Sequence, residues 1–398
     1  MCAAIALAAS TRAQHARADD TTPAATNAAE LPKYDFDAFV RVRYKQSWVS
    51  ISPRLRSLVE RQLSDPSLTA ASLRAIADTA RETDGITPTR AELRLHARTS
   101  PALEGELRLD AARLLVAEEA GQAVRELVAR WTPLRPVALS VGIFALPFSL
   151  HELFEQRSFP LTDEGPSHAL LEHLRFYGRD VGIMATLRPL RDDALSLDLA
   201  AADGGAVGAQ DYRGPGLLCG RITAQPWRQL QLTSALSVRP HALDAWWEEL
   251  RYRYQAFDRG AAVSTSAALF LGRWTLRAEW LAGKRTDNDV TVPVALRRGA
   301  ARAFTALWAM ASTELPVRGL KLVPVARAEW LDTDRDHPDV GELIHLSVGL
   351  AVDLDRHVRL TGELSRHLVQ AGTRDFTFEI LRYQADVTSG TLQLQLGL

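Results

Sequence analysis

The feature that most constrains this chain is an alternation of period two that recurs from about residue 34 to the last residue. Successive side chains of a strand point to opposite faces, so an alternating run gives one face to apolar residues and the other to polar ones. In FVRVRYK, Val40, Val42 and Tyr44 share one face and Arg41, Arg43 and Lys45 the other. TRAELRLHAR sets Ala91, Leu93, Leu95 and Ala97 against Arg90, Glu92, Arg94, His96 and Arg98. After Thr99-Ser100-Pro101, LEGELRLDA places Leu103, Leu107 and Leu109 opposite Glu104, Glu106, Arg108 and Asp110, which completes a hairpin. The pattern returns in VALSVGIF from Val137, LSLDLA from Leu195, QLQLTSALSV from Gln229 and RWTLRAEWLAG from Arg273. It continues in HLSVGLAVDL from His345, VRLTGELSRH from Val358 and TLQLQLGL from Thr391. Turn-forming clusters such as Asp203-Gly204-Gly205 and Asp287-Asn288-Asp289 separate the runs. The spacing predicts about 16 to 18 strands of roughly 8 to 12 residues, the length a tilted strand needs to cross a bilayer core.

Alternation alone admits two architectures. A β-sandwich buries the apolar face and solvates the charged one, whereas an inside-out barrel turns the apolar face to lipid and the charged face to an aqueous lumen. Three features favour the barrel: many similar strands without βαβ units, short turns alternating with long polar loops, and aromatics near strand ends. Trp131, Trp227, Trp274, Trp280 and Trp330 suit interfacial girdles, where the ring meets acyl chains and the N–H meets water. No uninterrupted apolar run reaches the roughly 18 residues of a membrane helix. In a closed barrel the last strand pairs with the first. Leu392, Leu394, Leu396 and Leu398 are therefore expected to face lipid beside an N-terminal strand, and Thr391, Gln393, Gln395 and Gly397 to face the lumen.

Residues 1–18, with their alanine-rich apolar run and Ala16-Arg17-Ala18, read as the later half of a secretory signal peptide whose basic n-region is missing. Residues 19–33, rich in Thr, Ala, Asn and Pro, read as a disordered leader, and 34–398 as one barrel domain. Within it a helical insert spans about 52–85: Ser52 can cap a helix with Pro53 at its first position, and Leu55, Leu58, Val59 and Leu63 share a face. An inserted loop, a plug and a periplasmic hairpin all suit this segment. The 47 basic and 48 acidic residues leave a net charge of −1, which gives no reason to expect a nucleic-acid partner. Cys2 and Cys219 cannot make a disulfide framework.

No metal, cofactor or catalytic motif is complete in the sequence. HELFEQ from His151 has Glu155 where a zinc-protease helix needs its second histidine. HALLEH, His168 to His173, is one residue too long for the inverted spacing. DTDRDHPDVGE from Asp332 alternates carboxylates but has His337 and Leu343 where a calcium loop needs glycine and glutamate. The expectation is a protein without cofactor or metal that is not an enzyme.

Three stretches carry a family resemblance. VALSVGIFALPFSLHELFEQRSFPLTDEG, residues 137–165, resembles the segment of phosphate-selective porins of the O and P type in which a strand ending in Gly-x-x-x-x-Pro-Phe-Ser runs into a long loop. YGRDVGIMATLRP, 177–189, is similar to the strand opening that follows, and LVPVARAEWLDTD, 322–334, to a Val-Pro-x-x-Arg-x-Glu strand in the C-terminal third. The resemblance implies an all-β fold, a closed antiparallel transmembrane β-barrel of about 16 strands. It further implies an outer membrane of a Gram-negative bacterium, a homotrimer in contact with outer-membrane lipid, and a water-filled channel. Small hydrophilic solutes, including anions such as phosphate, would diffuse through it passively.

On that basis the pore-lining candidates are Arg41, Arg43, Arg90, Arg94, Arg98, Arg108, Arg273, Arg277, Arg327, Glu329 and Arg359. Each guanidinium offers a planar fork that suits phosphate oxygens. An alternative is that many of these arginines pair with Glu92, Glu106, Glu279, Glu329 and Glu363 to satisfy a polar wall. A constriction-type loop over 149–177 carries Glu152, Glu155, Asp163, Glu164 and Glu172 against Arg157 and Arg175, with no lysine. An acidic constriction opposes phosphate, so the resemblance carries the pore further than the substrate. The rival function is a non-conducting β-rich exported protein, either a structural barrel filled by the insert or a soluble sandwich that binds a glycan or partner.

Overall fold

The computed structural model describes residues 33–50, 74, 84–114, 123–150, 159–162, 164–190, 194–204, 216–240, 243–247, 252–257, 260–285, 302–333, 335, 342–369 and 386–397. The first strands are β1 (Lys33–Ser50), β2 (Gly85–Ser100), β3 (Leu103–Asp110), β4 (Val124–Leu134) and β5 (Val137–Ala145). Next come β6 (Arg179–Leu187), β7 (Leu195–Ala202), β8 (Leu217–Trp227) and β9 (Leu230–Arg239). A separate hairpin, β10 (Leu243–Trp247) and β11 (Tyr252–Phe257), precedes β12 (Gly260–Leu271) and β13 (Trp274–Arg285). The remainder are β14 (Arg302–Thr313), β15 (Leu315–Val317), β16 (Leu320–Asp332), β17 (Glu342–Asp353), β18 (Val358–Val369) and β19 (Asp386–Gly397). Two helices are described, α1 (Ala111–Leu114) and α2 (Pro166–His173). The signal peptide and the helical insert over about 52–85 lie outside the described residues, apart from Arg74, Asp84 and Gly85, the last of which opens β2.

Neighbouring strands pair antiparallel, β9 pairs with β12 past the small hairpin, and β14 and β15 are two pieces of one wall strand against β16. The ring closes through β19 on β1, giving a closed barrel of 16 strands. Leu396, Leu394 and Leu392 stand opposite Val40, Val42 and Tyr44, and Arg41 Nη2 donates to Gln395 Oε1 at 2.9 Å across the seam. The terminal alternation therefore does what its pattern predicts. Leu392 and Leu394 are exposed on the outside while Gln393 and Gln395 are buried inside. Leu398 itself is outside the described residues.

Short turns join β2 to β3, β4 to β5, β8 to β9, β12 to β13 and β15 to β16 at one end, and the long connections leave from the other. Trp131, Trp227 and Trp274 sit outward and exposed beside the short turns. Trp280 and Trp330 share the outer face nearer the long connections, and Trp330 Nε1 donates to Glu342 at 3.3 Å. Two aromatic rims thus bracket an outer band of Leu, Val, Ile and Ala, as a lipid-facing wall requires.

The inside is not uniform. On β7, β8, β9 and β12 the inward residues are mostly small, among them Ala200, Ala202, Cys219, Ala235, Ser237, Ala262 and Ser264, all buried, with Asp198, Arg221 and Arg239 as charged exceptions. Small inward residues leave room for the chain between β5 and β6 to fold in and cover them. That chain buries Leu146, Phe148, Leu170, Leu171, Leu174, Phe176 and Tyr177 against this wall. A second apolar cluster joins Leu150, Phe159 and Leu161 of the same connection to Trp308, Met310 and Val325. On β1 to β4 the inward positions are instead charged.

Candidate functional site

The connection between β5 and β6 is held inside the barrel by polar anchors at both ends and in its middle. At its start, Glu279 of β13 is almost wholly buried and accepts four donors. These are Ser149 Oγ at 3.0 Å, Leu150 N–H at 2.9 Å, Ser264 Oγ at 2.5 Å and Trp308 Nε1 at 2.9 Å. A carboxylate has about four lone-pair sites, so the four donors occupy both oxygens of this buried group. Farther along, Glu363 Oε2 of β18 takes both the N–H and the hydroxyl of Thr162 at 2.6 Å. Glu329 of β16 receives the Ser167 N–H of α2 at 2.5 Å and Arg327 Nη2 at 2.6 Å. At the far end Arg239 of β9 donates to Leu174 O at 2.8 Å and lies over the Phe176 ring.

Gly165 precedes α2 with φ of 91°, a left-handed conformation that side chains other than glycine's rarely accept. A Cβ there would fall on the Arg327 guanidinium and a Glu329 carboxylate oxygen. Gly165→Ala is therefore expected to lift α2 from the wall, at a cost of about 1–3 kcal/mol. Faster proteolysis or hydrogen exchange of the loop in an otherwise intact barrel would register it. Inside α2, His168 contacts Glu164 and meets the Tyr177 ring edge-on, with centroids 4.2 Å apart.

The charged side of the lumen is a chain of ion pairs, some within a strand and most between strands. Glu106 pairs with Arg94 at 2.9 Å and Arg108 at 2.5 Å, and Glu126 with Arg108 at 3.3 Å and Arg179 at 3.2 Å. Glu104 holds Arg130 at 3.1 Å and Arg98 at 3.5 Å, while Asp110 and Glu92 each lie 3.7 Å from Arg90. Arg359 pairs with Asp353 at 2.5 Å. Most of these side chains retain solvent access within the barrel, that of Arg130 being 44% exposed, whereas Asp110 and Arg359 are buried.

Several expected positions need correction. Arg90, Arg94, Arg98, Arg108 and Arg359 do face inward, and each lies beside a wall carboxylate; Arg90, Arg94 and Arg108 meet Glu92 and Glu106 of the expected set, whereas Arg98 and Arg359 meet Glu104 and Asp353 instead. Arg327 and Glu329 are buried beneath α2 and line no passage, because the loop covers them. Arg273 lies in the turn between β12 and β13 rather than on the wall, since β13 begins at Trp274. Glu279 and Glu363 bind the loop and not an arginine among the contacts given above. Arg41, Arg43 and Arg277 keep their inward positions. Of the loop candidates, Glu164, Glu172 and Arg175 are described, and Glu152, Glu155, Arg157 and Asp163 lie outside the described residues.

The alternation also passes over Arg125. Arg108 pairs with Glu126 and Leu109 with Val124, so Arg125 is the extra residue of a β-bulge in β4. Its Nε is buried without a hydrogen-bond partner, as is that of Arg43. The charges it senses most are those of Arg179, Arg90 and Arg113, with Glu172 as counter-charge. Only the apolar pair flanking a polar step, Val124 and Leu127 in VRELVARW, could have hinted at a register break.

A closed barrel of 16 strands, with an apolar outer band, long connections at one end and a loop anchored inside, has the fold of the outer-membrane porins. The chain is similar over 92% of its length to all of an anion-selective porin from Comamonas acidovorans, at a TM-score of 0.59 and 10% identity. It is similar over 94% of its length to all of the outer membrane channel DcaP of Acinetobacter baumannii, at 0.57 and 12% identity. The trimer form of OmpT from Vibrio cholerae matches whole over 93% of this chain, at 0.55 and 9% identity. No family model and no curated protein sequence matches the chain.

Proposed function

We propose that the chain is a porin of the outer membrane of a Gram-negative bacterium, a water-filled channel through which small hydrophilic solutes diffuse passively, with a preference for anions. The observation that carries this is the divided lumen. One half is occupied by an anchored loop on small and apolar residues, and the other keeps charged side chains in contact with water. Most of those charges cancel in pairs, and the excess at the β4 bulge is a guanidinium, Arg125 among three other arginines. Arg43 adds a second buried Nε without a partner. Fixed cations in a low-dielectric channel raise the local anion concentration. The resemblance to phosphate-selective porins of the O and P type points the same way, with phosphate as one candidate solute. A homotrimer is the assembly we favour, because Ala278, Ala309, Ala311, Ala326 and Ala328 lie together on the outer face of β13, β14 and β16, where small side chains let two walls approach closely.

Purified protein in planar bilayers should give discrete conductance steps, and in a KCl gradient a reversal potential of the sign set by chloride. Arg43→Gln combined with Arg125→Gln is expected to lower the anion-to-cation permeability ratio by about two- to threefold. Correct insertion without conductance would sink the channel. Cation preference in the unmodified protein would sink the anion assignment alone.

A further inference from the structure

Beside the Glu329 anchor of α2 lies a pair of imidazoles with no part in the diffusion pathway described above. His345 of β17 and His367 of β18 are register partners on the inward face, and both are buried. Their Nδ1 atoms are 3.1 Å apart, with ring centroids 4.3 Å apart and planes inclined at 46°. At that separation one Nδ1–H donates and the other Nδ1 accepts through its lone pair. Such a pair can take up one proton and stay bonded, because the proton adds to Nε2 of the donating ring. A second proton must enter the contact itself, where two N–H groups would face each other and one ring would have to turn away.

The surroundings tie this chemistry to the loop. His345 is the register partner of Glu329, which accepts the Ser167 N–H of α2. Two inward positions along β18 from His367 lies Glu363, which accepts Thr162. The charged and titratable groups on this side are Arg327 and Glu329 from β16, Glu363 from β18, and Glu164 and His168 from the loop. From β19 the inward neighbours are Val387 and Ser389, which carry no charge.

We propose that His345 and His367 form a proton-operated latch that keeps α2 on the wall at neutral pH and releases its N-terminal anchor in acid. While the pair is neutral, Glu329 is left to Ser167 and Arg327. A proton on the pair places a cation one register position from Glu329 and competes for that carboxylate, and a second proton separates the rings. The direction follows: the anchor is intact at high pH and lost as the pair takes up protons in acid. The latch acts on the loop taken above to narrow the channel, and so rests on that assignment.

Hydrogen–deuterium exchange of the full chain in detergent, followed by mass spectrometry near pH 7.5 and near pH 5 and corrected for intrinsic rates, tests it without requiring conduction. Peptides spanning 166–174 should lose protection by about tenfold or more in acid. The double variant His345→Gln with His367→Gln should keep its protection at both pH values, and His345→Gln alone, which removes the imidazole opposite Glu329, should behave likewise should the double variant fail to fold. Absence of the acid step in the unmodified chain, or an equal step in the variants, overturns the latch and in the second case assigns the step to the anchoring carboxylates. In bilayers the same substitutions should remove an acid-dependent change in open-channel conductance. A chain that shows the exchange step yet never conducts refutes the channel and retains the latch.

Discussion

Glu279→Ala should undock the first turn of the inserted loop while leaving the barrel closed. The substitution removes one acceptor and strands four donors, the hydroxyls of Ser149 and Ser264, the Leu150 N–H and the Trp308 Nε1–H, in a site with almost no access to water. A buried donor left without its partner costs about 1–3 kcal/mol, and the four penalties do not add because the freed turn moves and rehydrates. About 2–4 kcal/mol against loop docking is expected, from several stranded neutral donors whose penalties partly relax. The wall itself keeps its ladder, since the backbone pairing of β13 with β12 and β14 does not depend on this side chain. Conductance should therefore rise and become noisy, and the loop should become susceptible to protease, with the SDS-resistant folded form still present before boiling. Glu279→Gln preserves one acceptor but turns an NH2 toward hydroxyl and N–H donors, so an intermediate effect of about 1–2 kcal/mol is expected. A Glu279→Ala protein with unchanged conductance and an equally protected loop would show that apolar packing by Phe148, Leu150 and Leu161 suffices to hold it.

The wall was legible in the sequence because it depends on a local rule. Period two fixes which residues share a face, and closure needs only that the last alternating run match the first, so Leu392, Leu394 and Leu396 could be paired in advance with a strand such as FVRVRYK. The tryptophans near strand ends were readable for the same reason. What fills the lumen was not legible, because it depends on which inward residue meets which part of a distant connection. Glu279 looked like one more wall carboxylate, and only the fold brings it to Ser149, 130 residues away. Arg327 and Glu329 carried the same inward signal as Arg94 and Glu106, yet the former pair is roofed by α2 and the latter keeps contact with water. Arg125 was hidden by the alternation itself, since a single bulged residue breaks the rule by which faces are assigned. A usable clue did exist in the composition of the inward positions: arginine and glutamate on β2 and β3 but alanine and serine on β9 and β12 mark the wall that a loop can cover.

Leu392→Arg provides the sharpest test of which face meets lipid. Leu392 is near the middle of β19, half exposed on the outside, and stands between Tyr44 and Gly362. A lipid-facing arginine at the bilayer midplane costs about 2–4 kcal/mol, falling to about 0–1 near the interface. Leu396→Arg, closer to the short-turn end, should therefore cost less, because its guanidinium can reach the headgroups along the strand. One residue away, Thr391→Arg points inward between Lys45 and Glu363 and should stay within about 1 kcal/mol, since the new charge gains a carboxylate neighbour and water. Equilibrium folding into lipid vesicles across a denaturant series would rank the three. A larger loss for Thr391→Arg than for Leu392→Arg would reverse the assigned faces. On a water-facing sheet an exposed leucine gives way to arginine at almost no cost and with no dependence on depth. A penalty that peaks at Leu392 and fades toward Leu396 is consequently a property that only a hydrocarbon surround can impose on this strand.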